Sequence, residues 1–331
     1  MSATIPELIC PAGTPATLRA AVEAGADAVY LGFRDATNAR NFPGLNFDEA
    51  EFRDGVTFAH AQGCKVFVAI NTYPPAGGAG PWHAAVDRAA TGGADAVILA
   101  DIGLLDYAAT RHPDLRRHLS VQASASNAGA IQYFRDAFGI ARVVLPRVLA
   151  MADIAALIRE VEVETEVFAF GGLCVMAEGR CALSSYATGQ SPNTNGVCSP
   201  ASHVRYQRRD GNVVTRLGDF TIDTVGEGQP VGYPTLCKGR FVAGDGTGHL
   251  FEDPVSLNTI DVLAKFAEIG VHALKIEGRQ RGRAYVTRVV GAYRQALGAL
   301  ARGEDPQDDG VLDTLSEGQR KTTGAYAKSW H

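Results

Sequence analysis

Short apolar segments recur along the chain between longer amphipathic segments. The short segments are rich in Val, Ile and Leu, which is typical of strands that are buried on both faces of a sheet. They predict eight strands, at 7–10, 28–32, 65–70, 96–100, 119–123, 142–145, 164–170 and 273–276.

The amphipathic segments between these strands predict helices with recognisable ends. Thr14 can cap a helix that has Pro15 at its first position and ends near Gly25, because a side-chain oxygen satisfies the first amides and glycine tolerates the last turn. Asn46 followed by Glu49 resembles a capping box before a second helix. We therefore expect strands and helices to alternate.

A short repeat supports this alternation. The sequence AGADAV at 24–29 returns as GGADAV at 92–97 and, more loosely, as GVHAL at 270–274. In each copy a glycine ends a helix just before a buried strand. Alternation of this kind implies a parallel sheet, either open and doubly wound or closed into a barrel. Eight strands, and CPAG at 10–13 where a dinucleotide-binding fold would carry G-x-G-x-x-G, favour a TIM-barrel-like (β/α)8 fold.

The regular pattern stops after the seventh predicted strand. Residues 171–255 are rich in Gly, Ser, Thr and Asn and carry four of the six cysteines. An insertion at this point leaves the carboxyl end of a barrel, where such folds build their sites. We expect four segments: 1–170 with the first seven strands, 171–255 as the insertion, 256–303 with the last strand and its helices, and 304–331 as a C-terminal tail.

Composition limits the possible classes of protein. The 331 residues are 46% hydrophobic and 20% charged, with a formal net charge of −5, which provides for a large core and disfavours a strongly basic nucleic-acid-binding surface. No segment reads as an export signal, and no apolar run approaches the roughly 18 residues that a membrane span needs. We expect a cytoplasmic protein without a membrane anchor and without a nucleic-acid partner.

The four cysteines of the insertion are candidate metal ligands. Cys174, Cys181, Cys198 and Cys237 are separated by six, sixteen and thirty-eight residues. Four thiolates can hold an iron–sulfur cluster or a zinc ion, and the short C-x₂₋₄-C spacing that is typical of structural zinc sites is missing. From the residues alone, a cluster, a zinc site and four unrelated thiols all stay open.

Cys10 ends the first predicted strand and could face the mouth of the barrel, but we expect both Cys10 and Cys64, which directly precedes the third strand, to be buried packing residues.

Polar residues at predicted strand ends would meet over the carboxyl face of a barrel. We expect the substrate-binding residues among them to be Asn71, Gln122, Arg147, Glu277 and Arg279. Neither a Ser-His-Asp set nor an H-E-x-x-H motif is recognisable, so the sequence does not identify catalytic residues.

Several motifs carry a resemblance to a known family. The segment EVFAFGGLC at 166–174, followed by GRCALS at 179–184, resembles the signature of the collagenase-like U-type peptidases. The similarity extends over nearly the whole chain, most closely to the ubiquinone-biosynthesis branch, through TNAR at 37–40, GLNF at 44–47, VQAS at 121–124, VVLPR at 143–147, SPNT at 191–194, CSP at 198–200, PTLCKGR at 234–240 and KIEGRQR at 275–281.

The resemblance implies a cofactor and a function. The four insertion cysteines match the family's 4Fe-4S ligands. The implied activity is O₂-independent hydroxylation of the aromatic rings of polyprenylated ubiquinone precursors, with prephenate as a possible hydroxyl donor. The implied assembly is a heterodimer with a UbiV-like protein that works with other ubiquinone-biosynthesis proteins. The alternatives are an RNA-base hydroxylase, a collagenase-like peptidase, or a non-catalytic subunit whose cluster is structural.

Overall fold

A computed structural model describes residues 4–174, 176, 181–192, 198–229, 231–308, 310–316 and 320–327. Within them, eight parallel strands form a closed barrel in which each strand pairs with the next and the last pairs with both the first and the seventh. The barrel strands are β1 (Glu7–Pro11), β2 (Ala28–Leu31), β3 (Lys65–Ile70), β4 (Ala96–Leu99), β5 (Arg116–Leu119), β6 (Arg142–Val144), β7 (Glu164–Gly172) and β14 (Ala273–Ile276). The predicted TIM-barrel-like fold is confirmed.

Helices connect the barrel strands and cover the outside of the barrel. They are α1 (Pro15–Glu23), α2 (Glu49–Ala61), α3 (Gly80–Thr91), α4 (Ile102–Arg111), α5 (Ala128–Phe138), α6 (Met151–Glu160), α8 (Leu263–Ile269) and α9 (Arg283–Ala301), whereas α7 (Leu183–Thr188) lies in the insertion that follows β7. In the part of the chain that the structure describes, no helix is both long enough and apolar enough to span a bilayer.

The segment between β7 and α8 carries its own small sheets. An antiparallel three-stranded sheet contains β8 (Val204–Arg209), β9 (Asn212–Leu217) and β10 (Phe220–Gly226), and a hairpin pairs β11 (Arg240–Ala243) with β12 (Gly246–His249). The chain returns to the barrel as β13 (Ser256–Asn258), which runs antiparallel to the end of β7. The insertion therefore leaves and re-enters the barrel at the same strand end.

The C-terminal segment packs against this return strand. β15 (Lys321–Thr322) pairs with β13, and the Lys321 ammonium contacts the Asp308 carboxylate, which also accepts a hydrogen bond from the Asn258 amide. The Tyr326 hydroxyl donates to the carbonyl oxygen of Phe168 in β7. These contacts attach the tail to the strand from which the insertion departs.

Two local predictions were wrong. The fifth strand lies at Arg116–Leu119 and not at 119–123, where a 3₁₀ turn follows it. This strand lacks the apolar pattern used for the prediction, because Arg116, Arg117 and His118 are polar. The capping box before α2 belongs to Asp48 and Glu51. Asn46 instead has a φ of 71°, and its side-chain amide donates a hydrogen bond to the Arg40 carbonyl oxygen. Thr14 caps α1 as predicted.

The inside of the barrel combines apolar and charged side chains. Alternate residues of each strand point inward, so the interior is filled by layers of four side chains that come from alternate strands. From the amino end upward, the layers are Glu7, Lys65, Arg116 and Glu164; then Ala28, Ala96, Arg142 and Ala273; then Ile9, Phe67, His118 and Glu166; then Tyr30, Ile98, Val144 and Lys275.

The Arg142 guanidinium occupies the space that the three alanines of its layer leave free. It donates to Glu7 at 2.6 Å and to Glu164 at 2.7 Å in the layer below, and it lies 3.4 Å from Glu166 in the layer above. Only 4% of its side chain is exposed, so these carboxylates supply the compensation that a buried charge requires.

A glycine allows the loop after β14 to approach β1. A Cβ atom on Gly13 would lie 1.8 Å from the Arg279 carbonyl oxygen, which is backbone and cannot rotate away. The Gly13 carbonyl oxygen also accepts a hydrogen bond from the backbone amide of Asn46, at 2.7 Å. Gly13 therefore fixes how closely two loops can meet over the carboxyl end of the barrel.

We expect Gly13→Ala to lower the free energy of unfolding by about 1–3 kcal/mol or more, because the added methyl group overpacks against backbone. Gly291→Ala is the matched control, since a Cβ atom there meets nothing within 4 Å and alanine in a helix stabilises by roughly 0.5–1 kcal/mol. Urea unfolding measures both. Equal stability of Gly13→Ala and the unchanged protein would contradict the close approach.

Candidate functional site

A cavity of about 610 Å³, partly open to solvent, lies over the carboxyl end of the barrel. Inward-facing residues of the strands form its floor, and residues just beyond the strand ends form its walls. The lining residues are Tyr30, Ala39, Arg40, Ala69, Asn71, Ile98, Ser120, Val121, Gln122, Val144, Arg147, Phe168, Lys275, Glu277 and Arg279.

The structure brings all five sequence-predicted substrate residues, Asn71, Gln122, Arg147, Glu277 and Arg279, into this cavity. Asn71 also has a structural task, because its Oδ1 accepts the amide of Ala39 at 3.0 Å. Gln122 is held through its backbone, and its Oε1 is buried without a hydrogen-bond partner among the described residues. Their roles in binding stay predictions.

Sequence reasoning missed four polar lining residues: Tyr30, Arg40, Ser120 and Lys275. Tyr30 and Lys275 lie inside strands and read as core positions, although a lysine in an apolar strand is itself a signal of a special environment. Ser120 follows the misplaced fifth strand. Arg40 is far from any strand end, and only its place in the TNAR motif marked it.

The walls of the cavity carry more positive than negative charge. Among the described lining residues, Arg40, Arg147 and Arg279 face one carboxylate, that of Glu277, with the Arg40 Nε at 3.9 Å from it. The Arg147 guanidinium stacks on the Phe168 ring at 3.4 Å from its centroid, which fixes the plane of the guanidinium group in the wall of the cavity. This excess of cations favours a small anionic ligand.

Burial and charge shift the pKa values of these groups in opposite directions. Burial disfavours ionisation of Glu277, but the neighbouring Arg40 and Arg147 guanidinium groups and the Gly172 amide outweigh it and lower the pKa of the carboxyl. Burial lowers the pKa of the Arg279 guanidinium to about 10. At neutral pH the cavity therefore holds an ionised carboxylate among charged guanidinium groups.

Two glycines of β7 allow Glu277 to take this position. Gly171 has a φ of +124°, and a Cβ atom there would lie 2.8 Å from the Glu277 Cβ. The Gly172 amide donates to Glu277 Oε2 at 3.3 Å. Gly171 and Gly172 thus leave room between β7 and β14 for the Glu277 carboxylate to lie beside the cavity arginines.

The four cysteines of the insertion lie on segments that share a small hydrophobic core. Leu217, Ile222 and Leu236 are buried together, and Leu183 and Val204 pack against them. Leu236 directly precedes Cys237, Leu183 follows Cys181 by two residues, and β8 begins six residues after Cys198. Packing of this core therefore brings three of the cysteine segments together, while Cys174 follows directly from β7.

Electrostatic coupling shows that the thiols are neighbours. Burial raises the pKa of Cys237 to about 12; Lys238 opposes this, and the charges of Cys174, Cys198 and Cys181 add to it. Burial also raises the pKa of Cys198, where Arg40 opposes and Cys181 and Glu277 contribute. Because Arg40 and Glu277 line the cavity, Cys198 lies near its mouth.

These residues suit a cluster in donor type, since all four cysteines are free thiols. Within the described residues, no group of three His, Cys, Asp or Glu side chains has a preformed metal-binding arrangement. Parts of the flanking motifs, among them Gly179, Arg180, Asn193 and Thr194, lie outside the described residues. Cys10 and Cys64 are buried and belong to the core, as predicted.

The closed parallel barrel makes this a TIM-barrel-like α/β protein. Its candidate site, the polar cavity, lies at the carboxyl end of the barrel, where such folds usually carry their sites. Residues 13–329 match the model of peptidase family U32. The chain belongs to this family. The solved structure of the U32 peptidase Mk0906 has the same fold, with a TM-score of 0.50 and 12% identity over 84% of this chain and 95% of that one.

Curated relatives are similar over most of the chain. The tRNA hydroxylation protein P of Escherichia coli (strain K12) is 32% identical over 329 residues, which cover 94% of this chain and 71% of that protein. The 23S rRNA 5-hydroxycytidine C2501 synthase of the same organism is 30% identical over 294 residues, covering 89% of this chain and 39% of that protein. Both relatives are longer than this chain.

Proposed function

We propose that this chain takes part in O₂-independent hydroxylation in the cytoplasm, and that its substrate is the aromatic ring of a polyprenylated ubiquinone precursor. The observation that carries the proposal is a cavity with excess positive charge that has Cys198, one of the four cysteines of the insertion, near its mouth. Relatives that are named for the hydroxylation of tRNA and rRNA support hydroxylation as the reaction class. The motif resemblance to the ubiquinone-biosynthesis protein UbiU supports the substrate.

Hydroxylation without O₂ needs another molecule as the source of the oxygen atom. The charge of the cavity suits an anionic donor, and prephenate, with two carboxylates, is our candidate. Arg147 and Arg279 would bind a carboxylate through paired hydrogen bonds, and Glu277 would keep the guanidinium groups apart and oriented. Phe168, below Arg147, contributes an apolar surface for a ring.

Cys174, Cys181, Cys198 and Cys237 would hold a 4Fe-4S cluster. Bound there, the cluster would supply one-electron transfer at the mouth of the cavity. The residues of this chain would bind and orient the donor and, through the small core of the insertion, keep the cysteine segments in place.

We also propose that the chain works as a heterodimer with a UbiV-like protein and other ubiquinone-biosynthesis proteins. Large exposed hydrophobic side chains support a docking surface on the insertion. Eight of the eleven such side chains in the described part of the chain lie between residues 186 and 251: Tyr186, Tyr206, Phe220, Val231, Tyr233, Val242, Leu250 and Phe251. A partner there could complete the route by which a polyprenyl tail reaches the cavity, or could itself house the chemistry.

RNA-base hydroxylation is the second candidate. Arg205 on β8 lies directly opposite Arg216 on β9, and like charges at such positions destabilise a sheet unless an anion lies over them. Arg205, Arg208 and Arg209 are exposed and form no ion pair among the described residues. Arg205, Arg209 and Arg216 share one face of the sheet and form a basic stripe, whereas Arg208 lies on the other face. This stripe could bind a phosphate backbone, against the expectation from the net charge.

A peptidase activity has less support. The cavity lining contains one serine, Ser120, and its Oγ accepts hydrogen bonds from the Gln122 amide and the Asn71 side chain. The described lining residues include no histidine, aspartate or cysteine that could activate a nucleophile or act as one.

Replacing Cys174 or Cys181 by Ala should abolish both the visible absorbance of the anaerobically purified protein and its ring hydroxylation, because a cluster would lose one of its four ligands. Cys64→Ser, at a buried cysteine beside the amino end of β3, is the matched control and should keep its iron. Hydroxylation that persists in an iron-free Cys174→Ala variant would remove the cluster from the mechanism.

Deletion of the gene should stop ubiquinone synthesis during growth without O₂ and leave hydroxylated nucleosides unchanged, as measured by mass spectrometry of lipid extracts and of digested RNA. A variant with Arg205, Arg209 and Arg216 all replaced by Gln should restore ubiquinone as well as the unchanged gene does. Loss of a hydroxylated nucleoside with normal ubiquinone would favour the RNA function instead.

A further inference from the structure

Lys275 is a buried cation on the floor of the cavity for which neither the motifs nor the proposed reaction provides a role. It lies in the uppermost interior layer, next to Tyr30, and only 8% of its side chain is exposed. Its Nζ lies 2.6 Å from Glu166 Oε1 and 4.0 Å above the Tyr30 ring. The Tyr30 hydroxyl donates a hydrogen bond to the carbonyl oxygen of Ile276, which holds it below the wall of the cavity.

A chain of ion pairs connects Lys275 with the opposite end of the barrel. Glu166, which is fully buried, contacts both Lys275 and Arg142. Arg142 reaches Glu7 and Glu164, and these contact Lys65 at 2.7 Å and Arg116 at 2.5 Å. The exposed fraction of the side chain rises along this chain to 52% at Lys65, so the network is dry under the cavity and hydrated at the amino end.

The charges of this network do not cancel. Four cations, Lys65, Arg116, Arg142 and Lys275, face three carboxylates, Glu7, Glu164 and Glu166. Burial and the neighbouring cations lower the pKa of His118 well below its usual value, so the imidazole is neutral at pH 7 and adds nothing. The carboxylates of the lower layer are divided among three cations, whereas Glu166 is shared between Lys275 and Arg142. Among the described residues, Lys275 therefore has one carboxylate partner, which it shares with Arg142.

We propose that Lys275 binds the anionic ligand of the cavity from below, and that Glu166 is the positioning residue that keeps the Lys275 ammonium charged and in place under the cavity. The ligand class is a small dianion, held by Lys275 at the floor and by Arg147 and Arg279 on the walls. This extends the proposed function, since the hydroxyl donor suggested there is such a dianion, but it does not require that the donor be prephenate.

Glu166 has a measurable task in this arrangement. Burial lowers the pKa of the Lys275 ammonium; the charge and hydrogen bond of Glu166 oppose the shift, and Arg279 and Arg142 add to it. The Tyr30 hydroxyl stays protonated, because burial raises its pKa. Removal of the Glu166 charge would therefore make Lys275 lose its proton, and the ligand its contact, at a lower pH than in the unchanged protein.

The test is calorimetric titration of the full chain, purified without O₂, with prephenate and with malonate. We expect Lys275→Met to bind roughly 10-fold to 100-fold more weakly, as for loss of a charge-assisted hydrogen bond. Lys65→Met, which removes a lysine–glutamate pair of the same network at the far end of the barrel, should bind normally. Glu166→Gln should bind at neutral pH and lose binding at a lower pH than the unchanged protein.

Lys275→Met leaves Glu166 with one partner fewer and could unfold, so the double variant Lys275→Met/Glu166→Gln, which removes both charges, accompanies it. Unweakened binding by either folded variant overturns the proposal, and so does an unshifted pH limit in Glu166→Gln. Failure of both dianions to bind the unchanged protein also overturns it. Binding of malonate but not prephenate, with dependence on Lys275, supports the proposal and removes prephenate as the donor.

Discussion

The burial of Arg142 on the axis of the barrel is the constraint on which the rest of the structure depends. Three alanines in its layer leave the space that its guanidinium fills, and a charge in that position requires carboxylates both below and above it. Glu7 and Glu164 satisfy it from below. Glu166 satisfies it from above and thereby brings a negative charge under the cavity, which in turn allows a buried lysine at the floor.

The same strand that carries Glu166 also connects the barrel with the insertion. β7 presents Glu166 to the interior, places Gly171 and Gly172 against Glu277, and continues directly to Cys174. β13 and β15 then close over its end. The charged interior and the arginine-lined cavity therefore meet at one strand, and the same strand leads to the first of the four cysteines.

The sequence allowed the barrel, its helix ends and the walls of the cavity to be predicted, because apolar periodicity and strand ends are local signals. It did not allow the fifth strand to be placed, since Arg116 and His118 point into a barrel whose interior is charged, and a polar strand has no apolar pattern. Lys275 was missed for a related reason. Its partner Glu166 is 109 residues away, so the pair exists only once the barrel closes. The cysteines were found through their residue type, whereas their proximity depends on the packing of the insertion core around Leu236.

The most direct measurement is a crystal structure of the protein grown without O₂ and soaked with prephenate, with diffraction recorded at the iron edge. The account predicts an anion in the cavity within hydrogen-bond distance of Lys275 and of Arg147 or Arg279, and an iron signal enclosed by Cys174, Cys181, Cys198 and Cys237. Water alone over Lys275, with the anion bound elsewhere and no iron at the cysteines, would contradict it.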